Sequence, residues 1–157
     1  MPRFGDVVGD RVRLNDAGRM IDSEWRSLEE RFSHVELDAY VLMPNHLHGI
    51  LWINTSEAAG EEGLSRILQA FKSLTTRAYA LGVRESGWPV FDRRLWQQSY
   101  YDRVIREEHE LQRIRDYIAA NPGRWHEDRE YRAWQEALMQ QTESSMTLDT
   151  SPGTDLW

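Results

Sequence analysis

The chain has 157 residues and a mass of 18.5 kDa, enough for one domain with a real core and a tail. It has no run of apolar residues long enough to span a bilayer and no basic-then-apolar leader, so a cytoplasmic protein is the default expectation. Zero cysteines exclude disulfides and thiolate metal sites, so any metal must be held by His, Asn, Gln, Asp or Glu.

The net charge of −7 argues only superficially against nucleic acid, because the charge is unevenly distributed. Residues 1–63 carry 6 Arg against 12 acidic groups, and residues 126–157 carry 2 Arg against 7. Residues 64–125 carry 10 Arg and 1 Lys against 7 acids. Arginine suits bidentate phosphate contacts and stacking on bases. On charge alone, a solvated surface explains the pattern as well.

In chain order, "FGDVVGDRVRLN" reads as a small hairpin about Gly9-Asp10. "DSEWRSLEERF" predicts a helix, with Trp25, Leu28 and Phe32 at helical spacing and Asp22 or Ser23 as cap. "VELDAYVLM" predicts a strand in which Val35, Leu37, Ala39 and Val41 alternate with their neighbours. Pro44-Asn45 turns the chain, and "HLHGILWI" returns as an antiparallel strand. After the acidic loop 55–63, a helix follows with Leu64, Ile67, Leu68, Phe71, Leu74 and Leu81 as its stripe and Gly82 at its end. Residues 88–105 read as loop then strand, and a last helix runs from about Glu107 to Ala120, stopping at Asn121-Pro122. Residues 131–157 form a charged and polar tail, partly disordered. Strands that pair as hairpins between helices predict an α+β fold, an antiparallel sheet with helices on one face.

The chemistry begins with "YVLMPNHLHGILWI". With a period of two, His46, His48, Ile50 and Trp52 share one strand face, and Leu47, Leu51 and Ile53 share the other. Two imidazoles at adjacent same-face positions admit three explanations: a satisfied core pair, a turn-edge accident, or two ligands for one ion. In the last helix, Leu111, Ile114 and Ile118 form the buried stripe, and Tyr117 and Asn121 lie four residues apart on its flank. A rim tyrosine and a C-terminal cap explain these two equally well. Taken together, two imidazoles and an amide oxygen could hold a hard divalent ion beside a tyrosine nucleophile for phosphate.

"MPNHLHGI", "RILQAFKS", "WQQSYYDRVIR" and "RIRDYIAANPGRW", in that order from about Phe4 to Asp128, resemble the single-tyrosine HUH transposases, most closely the REP-associated branch. The resemblance implies a transposase-like HUH domain over residues 1–130. The implied fold is a ferredoxin-like sheet that lacks the usual first strand, as from a truncated gene start or a decayed copy. It implies cleavage of single-stranded DNA beside a hairpin, with Mg or Mn as cofactor, by a monomer or homodimer. By the same resemblance His46 and His48 are metal ligands and Tyr117 is the nucleophile, with Asn121 at the place of a third polar ligand. Lys72, Arg93, Arg94, Arg103, Arg106, Arg113 and Arg115 are candidate DNA contacts, with solvated charge as their plainer explanation. Tyr100 and Tyr101 are competing nucleophiles. Trp88, Trp96 and Trp125 could stack bases, although packing is the better expectation for most of them. His34, His109 and His126 read as surface residues. The competing function is a hairpin-binding module that does not cut. A further alternative is a structural His pair without metal.

Overall fold

The computed structural model describes residues 3–54, 63–96, 102 and 104–127. The chain divides into two compact units, Met1–Gly123 and Arg124–Trp157. The first carries β1 (Gly5–Val8), β2 (Arg11–Leu14), α1 (Asp16–Arg26), α2 (Leu28–Arg31), β3 (Val35–Leu42), β4 (Leu47–Ile53), α3 (Gly63–Ser86) and α4 (Glu108–Ala120). A short 3₁₀ segment follows at Pro122–Glu127. The fold is α+β, compatible with a ferredoxin-like arrangement. Among the described residues the strands form two antiparallel pairs, β1–β2 and β3–β4. The expected tail over 131–157, Tyr100, Tyr101, Arg103 and most of the expected strand before α4 lie outside the described residues.

The β1–β2 hairpin forms as expected, with Gly9 in the left-handed region (φ 66°) where its turn requires it. The helix after it starts earlier than the sequence suggests. Asn15, not Asp22 or Ser23, is the N-cap: its Oδ1 accepts from the Gly18 N–H at 2.8 Å. Ala17, Ile21 and Trp25 then make the buried stripe of α1, and the chain breaks at Ser27 before the single turn of α2.

α3 also differs in detail. Its buried residues are Ile67, Phe71, Thr75, Tyr79 and Gly82, whereas Leu81 is 46% exposed. Steps of four and then three residues keep that stripe on one face of a 3.6-residue helix. Gly82 does not end the helix. It lies within α3 because a Cβ there would fall 2.1 Å from Cε3 of Trp88, which folds back over it. Gly87, with φ 66°, follows the last helical residue, Ser86.

β3 and β4 carry apolar packing on both faces, and a β-bulge decides which residue takes which face. Leu37 pairs with Leu51 and Tyr40 with Gly49, so Asp38 and Ala39 together oppose Ile50. The expected alternation therefore breaks after Leu37. Val35, Leu37, Tyr40 and Leu42 join the main core with α1 and α3, while Ala39 and Val41 turn to the opposite face. The expected single helical face thus holds for α1 and α3. α4 takes the other face, where Leu111, Ile114 and Ile118 pack on Ala39, Val41 and Ile50.

The main core centres on Trp25, Phe71, Trp96 and Phe4, with ring centroids 5.2–5.4 Å apart along that series. The turn between β3 and β4 is tied to the same core. Pro44 is fully buried, and its carbonyl accepts from the Arg3 and Phe4 N–H groups at 2.8 and 3.0 Å. The Met43 N–H donates to the His46 carbonyl at 2.8 Å, closing the hairpin. This turn delivers the two histidines.

Candidate metal and nucleophile site

His46 leaves the turn and His48 follows within β4, both on the α4 side as the strand period requires. Their Nε2 atoms lie 3.0 Å apart, with the rings edge to face at 4.6 Å. Asn45 orients the first ring: His46 Nδ1–H donates to its Oδ1 at 2.7 Å, leaving His46 Nε2 as an acceptor. The Nε2–H of His48 then donates to it. Asn45 thus does more than turn the chain, a role the sequence reading missed.

This arrangement fits a divalent ion. Two imidazole nitrogens that converge to 3.0 Å could both face one ion. An ion would replace the single proton that lies between the two rings. Among the described residues no group of three or more His, Cys, Asp or Glu could hold a metal, so a further ligand from those residues would be an amide, a hydroxyl or a backbone carbonyl. Asn121 offers one. It is 4% exposed, and its Oδ1 is buried without a hydrogen-bond partner among the described residues. A buried acceptor left unpaired is costly, which makes this atom notable in a helix cap.

Tyr117 is one helical turn before Asn121 and 50% exposed. Its ring lies edge-on to that of His48, with centroids 5.6 Å apart. α4 therefore brings the expected nucleophile to the expected histidine pair, across 69 residues of sequence.

Two residues that the sequence reading did not connect hold α4 in place. Arg115 donates from Nε to Asp38 Oδ1 at 2.9 Å and from Nη2 to Oδ2 at 2.6 Å. The half-exposed Trp52 donates from Nε1 to the same Oδ2 at 2.7 Å, and the Ala39 N–H donates to Oδ1 at 2.6 Å. The Arg115 fork holds the Asp38 carboxyl well below the usual carboxylate range, against the opposing effect of burial and with help from Trp52 and Ala39. Arg115, a candidate DNA contact by sequence, thus has its fork engaged on the protein. Its one legible signal was its spacing: Arg115 and Ile118, three residues apart, share a helix flank.

Arg93, Arg94, Arg106 and Arg113 are exposed, and Arg93 takes a left-handed backbone (φ 57°). Lys72 is partly buried on α3, and burial lowers its pKa. Of the tryptophans, Trp88 packs on Tyr79, and Trp96 packs on Phe4 and Phe71 while donating to Thr75 Oγ1 at 2.8 Å. His109 is a surface residue, 3.1 Å from Glu107.

No helix among the described residues is long and apolar enough to cross a membrane. No solved structure matches the chain. A protein of Haemophilus influenzae (strain ATCC 51907 / DSM 11121 / KW20 / Rd), described only as uncharacterized, is 32% identical over 143 residues, covering 82% of this chain and 77% of its own length. Residues 21–121 match the family described as "Transposase IS200 like". That span begins within α1 and ends on Asn121, so it contains the histidine pair, the bulge and the whole of α4. The chain belongs to the IS200-like transposase family, whose members act on DNA.

Proposed function

We propose that this transposase is a divalent-metal-dependent, single-stranded DNA endonuclease and strand transferase acting beside DNA hairpins, with Tyr117 as its nucleophile. The observation that carries this reading is the 5.6 Å approach of Tyr117 to His48, whose Nε2 converges with that of His46 at 3.0 Å. His46, His48 and the buried Oδ1 of Asn121, which has no hydrogen-bond partner among the described residues, would hold Mg or Mn. Such an ion, when bound, would supply Lewis-acid polarisation of the scissile phosphate and offset charge on the leaving oxygen.

The protein's own part is nucleophilic. Tyr117 Oη loses its proton and bonds to phosphorus as the bond from phosphorus to the 3′ oxygen breaks. The 3′ oxygen takes up a proton and leaves as a hydroxyl, while the 5′ phosphate stays on the tyrosine. Attack by a second 3′-hydroxyl reverses the step and joins the strands. The half-exposure of Tyr117 suits a polymeric substrate that must reach the phenol. Arg93, Arg94, Arg103, Arg106 and Arg113, with Lys72, would hold the strand by its phosphates.

The test is incubation of a hairpin oligonucleotide, labelled at either the 5′ or the 3′ end, with protein and Mn. Covalent transfer of the 3′ label alone is expected. Tyr117→Phe should abolish transfer while binding survives, and His46→Ala should lose cleavage and the response to Mn together. Full adduct in Tyr117→Phe removes Tyr117 from this role. Salt-sensitive binding by the wild type with no transfer leaves a hairpin-binding module instead.

A further inference from the structure

We infer that Asp38 and Arg115 form a clamp that sets the register of α4 on the β3–β4 hairpin, and that they are positioning residues for Tyr117. The inference rests on the role proposed above for that tyrosine.

α4 has 13 residues, a length at which an isolated helix is marginal in water, so its placement depends on what it docks against. Among the described residues its apolar footing on the hairpin is small: Leu111, Ile114 and Ile118 on Ala39, Val41 and Ile50. Such contact is non-directional. It sets which face of α4 turns inward but holds the helix only loosely along its axis, where the rise of a single residue is ~1.5 Å. A shift of that size would carry Tyr117 away from His48.

The contact of Arg115 with Asp38 is directional. A planar guanidinium meets a carboxylate through two hydrogen bonds, 2.9 and 2.6 Å, and that geometry fixes both distance and angle. The carboxylate itself cannot swing. Trp52 Nε1–H and the Ala39 N–H hold it at 2.7 and 2.6 Å, so each oxygen accepts from two donors. The bulge puts it there, since Asp38 is one of the two residues that oppose Ile50. An exposed ion pair would add little, but the Asp38 side chain is only 11% exposed and that of Arg115 33%. Setting register is the best-attested use of an ion pair removed from water. Arg115 lies two residues before Tyr117, so the clamp fixes α4 about half a turn from the phenol.

The experiment compares wild type with Asp38→Asn, Arg115→Lys and Trp52→Phe in three measurements. These are the single-turnover rate of adduct formation at saturating hairpin DNA, the Kd for that DNA, and the ¹⁹F resonance of 3-fluorotyrosine at position 117 without metal or DNA. Arg115→Lys keeps the charge and loses the fork. Displacement of the phenol by about 1 Å should slow adduct formation by about 100-fold. The expected result is that loss in Asp38→Asn and Arg115→Lys, with Kd unchanged within about twofold and a displaced ¹⁹F line. Trp52→Phe, at an exposed position that tolerates change, removes one donor to Asp38 and should show a smaller loss with the same pattern.

Wild-type rates in the two pair variants overturn the clamp. So does an unmoved ¹⁹F line, or a parallel loss of rate and Kd in Arg115→Lys, which would make Arg115 a DNA contact. If Asp38→Asn melts too low to assay, Trp52→Phe decides. A wild type that forms no adduct overturns the nucleophilic role of Tyr117 instead, and the ¹⁹F comparison still decides the clamp.

Discussion

Gly49, between His48 and Ile50, gives the sharpest test of how the site is supported from behind. An ideal Cβ at Gly49 would lie 2.7 Å from Cζ2 and 3.3 Å from Cη2 of Trp25, and 3.2 Å from Cβ of Tyr40. The indole cannot easily retreat. Trp25 is 3% exposed, packs edge-on against Phe71 at 5.2 Å and lies tilted against Tyr40 at 6.0 Å. Gly49→Ala therefore overpacks the contact between α1 and β4, at a cost of about 1–3 kcal/mol. Restricting the unfolded chain returns about 0.4–1 kcal/mol. Overpacking wins, and the net loss should be about 1–2 kcal/mol. For a domain of this size that corresponds to a fall in Tm of roughly 4–8 °C by far-ultraviolet circular dichroism. Repeating the substitution in a Trp25→Phe background isolates the cause, because the smaller ring leaves room for the methyl group. There Gly49→Ala should cost less than about 0.5 kcal/mol. A single variant that melts with the wild type, or an equal loss in both backgrounds, would refute the argument that Gly49 is required by Trp25.

Thr75→Val tests the polar link inside the main core. Thr75 Oγ1 accepts from Trp96 Nε1–H at 2.8 Å and donates to the Phe71 carbonyl at 2.7 Å, so valine keeps the volume but strands the indole N–H. A lower urea midpoint with unchanged m, equivalent to about 1–3 kcal/mol, is expected. Tyr40 gives an alkaline signature. Burial pushes its phenol up to about 12, reinforced by the O–H donated to Asp22 at 2.9 Å. Its contribution is complete below the unfolded value of about 10 and is lost as pH rises through the folded one. Urea unfolding across that window should show a decline in the wild type that Tyr40→Phe lacks. Asn121→Leu removes a buried acceptor that has no partner among the described residues, so the metal-free protein should melt no lower. The rise in Tm on adding Mn should shrink.

Much of the site was legible because its parts are local. His46 and His48 share a face because strand side chains alternate, and Pro44-Asn45 announces the turn that precedes them. Tyr117 and Asn121 share a flank by helical spacing alone, and Pro122 marks where α4 stops. The start of α1 was also there to be read in Asn15, but Gly18 in its first turn and the cap-like Asp22-Ser23 obscured the helical pattern. Gly82 misled for the opposite reason. Its spacing suits a helix end, and only the return of Trp88 explains a glycine within α3.

The sequence by itself thus determined the two hairpins, the extent of α4 and the shared face of the two imidazoles, since each follows from contacts within a few residues. The tertiary structure alone decided that a bulge at Asp38 and Ala39 reverses the faces of β3. It alone joined Asp38 to Arg115 and brought Tyr117 against His48. A strand reads equally well with or without an extra residue, because the ladder of its partner decides the count. The site closes through contacts between residues some 70 positions apart, and such contacts leave no periodic trace in the chain.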